Sequence, residues 1–136
     1  MKTIFWKKLP AYNLQEILIV LVIIGILLLL ALPNLMPLIS KAKSTEAQLQ
    51  LSHVYNCQTT YRYMYSKYAS SFSEIDFEAP KTIEENGRSN YSYELLDAST
   101  TSFKARATAV VDFDGDGILN VWEIDENGIP VQIVKD

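Results

Sequence analysis

Residues 11–25 read AYNLQEILIVLVIIG, and one carboxylate in them decides how the chain is organised. Glu16 stands at the head of a run that is otherwise hydrocarbon. From Ile17 to Ile39 there are 23 residues by count, in which Asn34 is the one polar side chain. As a helix that run rises roughly 35 Å, enough to cross a hydrocarbon core of about 30 Å. A charge near the centre of such a core costs about 2.5 kcal/mol or more, so an acidic residue at its edge is a functional candidate.

The run is too long for a secretory h-region, which reaches about 15 residues, and no A-x-A-like site follows it. Lys2, Lys7 and Lys8 precede it and favour a cytoplasmic N-terminus, a bias that Lys41 and Lys43 weaken without reversing. Composition alone thus describes a single-pass anchor with an external C-terminal domain. The net charge is -4 over 136 residues, and no basic stripe stands out, so no nucleic-acid partner is expected. Cys57 is the sole cysteine, which excludes an intrachain disulfide.

Beyond Ser40 the helical pattern continues. Ala47, Leu51, Val54, Tyr61, Tyr65 and Tyr68 recur at helical steps, with Gln58 filling a gap on that face and Lys43, Glu46, Gln50, His53 and Arg62 opposite. A helix of about 50 residues is expected, membrane-embedded first and packed on a soluble layer later. Pro33 and Pro37 each delete a backbone donor and crowd the carbonyl four residues back, which reads either as a tolerated kink or as a segment that bends or unwinds when subunits pack. Residues 69–87 read as a surface connection with a short helical turn, anchored by Phe72, Ile75 and Phe77. The period then falls to two: NYSYELL and SFKARATAVV alternate across the DASTT loop, and VWEI and IPVQIV flank DENG. Pro130 places the last strand at a sheet edge or makes its start irregular. The expected fold is α+β, with the long helix covering one face of about four antiparallel strands.

DFDGDGILNVWE, residues 112–123, matches a twelve-residue calcium-loop pattern at every defined position. Asp112, Asp114 and Asp116 would give carboxylates, Ile118 a backbone carbonyl, Asn120 a direct or water-mediated ligand, and Glu123 a bidentate carboxylate. These hard oxygens suit Ca2+. The strand-like flanks differ from a helix–loop–helix unit, and an extended strand at residues 121–124 leaves the reach of Glu123 open. His53 reads as solvated and Cys57 as packing. No spacing suggests a nucleophilic triad, a phosphate loop or HExxH, so no enzyme is expected.

KKLPAYNLQEILIVLVIIGILLLLALPN resembles the N-terminus of class III prepilins, the type IV pilin and type II secretion pseudopilin superfamily. Lys7 and Lys8 match the basic leader, Ala11 the cleavage residue (usually Gly), Tyr12 the aromatic first mature residue, Glu16 the acidic fifth, and Pro33 the distal proline. The resemblance covers about the first 40 residues. It implies a leader at 1–11, a transmembrane and filament-core helix at 12–39, and a soluble pilin-like domain at 40–136. It implies cleavage and N-methylation at Tyr12 by a prepilin peptidase at the bacterial inner membrane. Its further partners would be an inner-membrane assembly platform, minor (pseudo)pilins and copies of itself in a helical filament, in the periplasm or at the cell surface. The short chain and the calcium pattern resemble the G-type major pseudopilin of type II secretion. A major or minor type IV pilin is the near alternative, and a membrane-anchored calcium-binding module that never polymerises is the alternative from another class.

Overall fold

The computed structural model describes residues 12–135; Ala11, on the expected cleavage site, lies outside them. One helix, α1 (Leu14–Tyr65, 52 residues), is followed by two 3-10 turns (Phe72–Ile75 and Ile83–Glu85). Four strands complete the chain: β1 (Tyr91–Ala98), β2 (Phe103–Ala109), β3 (Val121–Asp125) and β4 (Val131–Val134). They form one antiparallel sheet in the order β1-β2-β3-β4, so the expected α+β architecture holds and the Pro130 strand is an edge. The helix remains helical through Pro33 and Pro37. Each proline removes one intrahelical donor, and strong helix formers such as Leu29, Leu30, Leu35 and Met36 flank them.

The chain divides into two units between Leu35 and Met36. In the first, every apolar side chain from Leu14 to Leu35 is exposed. Leu14–Pro33 is long and apolar enough to cross a membrane, with mean hydropathy 3.0 and none of it buried.

In the second unit, α1 buries Ser40, Ser44, Ala47, Leu51, Val54 and Gln58, a stripe in steps of three and four. Opposite it, β2 turns Phe103, Ala105, Ala107 and Ala109 inward and leaves Lys104 exposed, the alternation of a strand buried on one face. Tyr91 of β1 and Ile124 of β3 join the same core. Three alanines in a row on one face of β2 leave room for the helix, and Phe103 closes the end, packed against Tyr68 at 4.9 Å between ring centroids. Tyr65, expected on the stripe, is exposed at the last residue of α1, and Tyr68 reaches the core from beyond the helix.

Polar groups tie the connection down. Gln58 is fully buried, and its Oε1 accepts the Ala69 N–H at 2.8 Å while its Nε2 donates to the Ala69 carbonyl at 2.9 Å. One side chain thus satisfies both backbone groups of a buried residue. Glu46, whose face of the helix reads as solvated in the sequence, accepts Ser89 Oγ at 2.6 Å, Asn90 N–H at 3.0 Å and Asn90 Nδ2 at 2.8 Å. It clamps the entry to β1. The β3–β4 turn needs Gly128, whose φ is 76° and whose Cβ, if present, would meet the Tyr55 ring at 2.7 Å.

Gln58→Leu keeps the volume but strands the Ala69 N–H and C=O. Each unsatisfied buried group costs about 1–3 kcal/mol, so urea unfolding of the full chain in detergent micelles should show a loss of roughly 2–4 kcal/mol. A loss under about 0.5 kcal/mol would mean that water reaches Ala69.

Candidate functional site

The loop between β2 and β3 is held by its own aspartates. Asp112 Oδ1 accepts the N–H groups of Asp114 (3.2 Å) and Gly115 (2.6 Å), and its Oδ2 accepts that of Gly117 (2.6 Å). Asp114 Oδ1 accepts the Asp116 N–H at 3.1 Å, and Asp116 Oδ1 the Ile118 N–H at 2.7 Å. Gly115 (φ 85°) and Gly117 (φ 87°) take the left-handed conformations that let successive amides turn toward the carboxylates. The Gly117 N–H, then the Gly115 N–H, hold the Asp112 carboxyl below its ordinary range. Because this folded value is lowered, its stabilising effect is in place above the ordinary aspartate range and is lost as pH falls through the lowered value.

One oxygen from each of Asp112, Asp114 and Asp116 lies within 4.8 Å of the others. Three like charges so close repel one another, an effect the backbone N–H groups offset in part, and hard carboxylate oxygens in this arrangement suit a hard divalent cation. Asn120, the ninth position of the pattern, is fully buried. Its carbonyl accepts the Ala109 N–H at 2.8 Å and its Nδ2 donates to Ser44 Oγ at 3.2 Å. Its Oδ1 has no hydrogen-bond partner among the described residues, an acceptor left over next to the acidic turn in sequence. The three aspartate oxygens thus form a donor set that fits a cation. Ile118 sits in the loop with its side chain exposed.

Glu123 does not join the aspartates. Strand β3 begins at Val121, and its register sets Glu123 opposite Arg106 on the sheet face away from the core. There its Oε1 accepts Arg106 Nε (2.9 Å) and Nη2 (2.7 Å), with Lys104 Nζ at 3.6 Å from Oε2. In this structure the resumed strand geometry places this carboxylate in a cross-strand ion pair, where the sequence pattern would make it a bidentate twelfth ligand. The loop is fastened to α1 instead. Phe113 is buried beneath Lys43, whose Nζ lies 4.5 Å from the ring centroid, and packs edge-on to Tyr91 at 5.8 Å.

At the other end of the chain, Asn13 precedes the first turn of α1. Its carbonyl accepts the N–H groups of Glu16 (3.0 Å) and Ile17 (3.3 Å), and Glu16 Oε2 reaches back to the Asn13 N–H at 3.0 Å. Glu16 is thus the third-position acid that caps its own helix, the carboxylate half of a capping box. Tyr12 is exposed beside it, and Pro33 lies within α1. His53 and Cys57, one helical turn apart, border a cavity of about 290 Å3. The His53 ring meets Phe77 edge-on at 5.5 Å, and burial first, then the charge of Asp76, pushes the Cys57 thiol up.

Sequence reasoning misses Ser40 and Ser44, because a hydrophobic pattern has no means of marking buried serines. The residue spacing 40, 44, 47, 51 was the available signal. No protein-family model matches the chain, and no curated protein matches it.

Proposed function

We propose that the chain is a structural subunit of a helical filament of the pilin and pseudopilin type, most like the G-type major pseudopilin of type II secretion. The observation that carries this reading is the division of labour along α1. Its first half exposes an uninterrupted apolar surface headed by one capping carboxylate, and its second half buries a stripe on a four-stranded sheet. A membrane solvates the first half before assembly, and the same surface from neighbouring copies replaces lipid in the filament core.

In the uncut chain the nitrogen of Tyr12 is a peptide nitrogen, and Glu16 caps the Asn13 N–H. Cleavage between Ala11 and Tyr12 by a prepilin peptidase makes that nitrogen an amine, and methylation keeps it basic. Tyr12 adjoins the Asn13 that Glu16 caps, and a carboxylate that accepts one N–H retains lone pairs for a cation. Glu16 then pairs with the Tyr12 amine, its own or that of the adjoining copy, which removes the penalty of an uncompensated charge in hydrocarbon. An assembly platform in the inner membrane and minor subunits are the partners this requires.

Residues 112–120 are the calcium loop of this subunit: Asp112, Asp114 and Asp116 hold the ion, and Asn120 offers its spare Oδ1. Bound calcium neutralises the three clustered carboxylates and so fastens the β2–β3 connection.

N-terminal sequencing of the protein from cells with an active prepilin peptidase should give N-methylated tyrosine followed by Asn13. An intact Met1 under those conditions would instead describe an anchored module that never polymerises. For the loop, calcium at a hundred times its dissociation constant stabilises by about 2.7 kcal/mol, which for a domain near 100 residues raises the Tm on the order of 10 °C. Chelator, or Asp114→Ala with Asp116→Ala, should abolish that rise, and identical melts with calcium and with chelator would refute the site.

A further inference from the structure

We propose that Ser44 of α1 is a positioning residue for the cation loop, holding the Asn120 amide so that its Oδ1 serves the ion. Three observations converge on it. Ser44 is buried within the helix stripe, 76 residues away in sequence from Asn120, yet its Oγ accepts the Asn120 Nδ2–H at 3.2 Å. The Tyr91 hydroxyl approaches the same oxygen at 3.4 Å, which fixes Ser44 Oγ between two donors from the sheet side. Asn120 itself is fully enclosed and keeps an unpartnered Oδ1, while its backbone carbonyl is occupied by the Ala109 N–H. An amide has one donor end and one acceptor end. Anchoring the donor end on Ser44 therefore dictates which way the acceptor end is presented.

The arrangement has a direct consequence for α1. Ser44 lies five residues beyond Ile39, the end of the apolar run, and its neighbour Lys43 covers the Phe113 ring of the same loop at 4.5 Å. Ion occupancy is thereby linked to the stretch of α1 just past that run, through one hydrogen bond and one cation–π contact. Outer partners that orient a ligand change metal affinity typically about 10- to 100-fold when removed.

The inference rests on the calcium reading of residues 112–120, and the experiment separates the two. Calcium binding is measured by calorimetry on the full chain in detergent for wild type, Ser44→Ala, and Ser52→Ala, whose hydroxyl donates within the helix to the Gln48 carbonyl. Hydrogen exchange of residues 40–48 is followed with and without calcium. Ser44→Ala should raise the dissociation constant about tenfold or more and remove the calcium-dependent protection of residues 40–48, while Ser52→Ala stays within about twofold of wild type. If Ser44→Ala does not fold, Ser44→Cys, close in volume with a weak acceptor, takes its place with the same expectation. A wild type that binds calcium with a Ser44 variant of equal affinity overturns the positioning role alone. A wild type that binds no calcium overturns the calcium reading, and this role with it.

Discussion

The sheet sets how much of α1 can be covered. The eight residues of β1 span about 26 Å, and the buried stripe from Ser40 to Gln58, nineteen residues by count, spans about 28 Å. Burial of α1 against the soluble layer begins at Ser40. The apolar side chains of α1 before that point are left uncovered by the chain itself. On the proposed reading, residues 14–39 find their cover outside their own chain. On that reading a lipid core covers them in a single copy, and the same helices of other copies cover them in a filament.

The core is built to let the helix sit close. Ala105, Ala107 and Ala109 contribute little apolar area each, and the larger Leu51, Val54, Tyr91, Phe103 and Ile124 surround them. The polar residues admitted into this interior are there for their bonds. Gln58 completes the backbone of Ala69, and Ser44 receives Asn120 and Tyr91. On the far side, Glu123 bridges Arg106 and Lys104, and Arg106 reaches Glu94 across β1. That face is exposed enough for these pairs to contribute mainly register, since surface ion pairs are worth roughly 0–1 kcal/mol.

Much of the fold was legible from period alone. The alternation in SFKARATAVV and the three- and four-residue steps of Ala47, Leu51, Val54 report a buried face directly, because burial of apolar area dominates both. Glu123 shows where a motif outruns its context. The spacing of a calcium loop is met, but the spacing presumes a helix after the loop, and VWEI forms a strand whose pleat points the carboxylate at Arg106. The pairing of Ser44 with Asn120 was hidden for a different reason: it is long-range and polar, and neither residue type carries a signal of burial. Glu16 was conspicuous as a charge beside hydrocarbon, yet its bond to the Asn13 N–H emerged only from the geometry of the first helical turn.

Two local devices thus stand at the two ends of the chain's function, a capping carboxylate where α1 begins and an acidic loop fastened to α1 where it leaves the apolar run. On the proposed reading, the exposed half of α1 is meant for other copies of itself, registered by Glu16. Its most direct test is electron microscopy of filaments from cells that express Glu16→Val alongside the processing and assembly machinery. The variant should insert and be cut like the wild type, yet give few filaments or none. Filaments as abundant and as regular as those of the wild type would contradict the account.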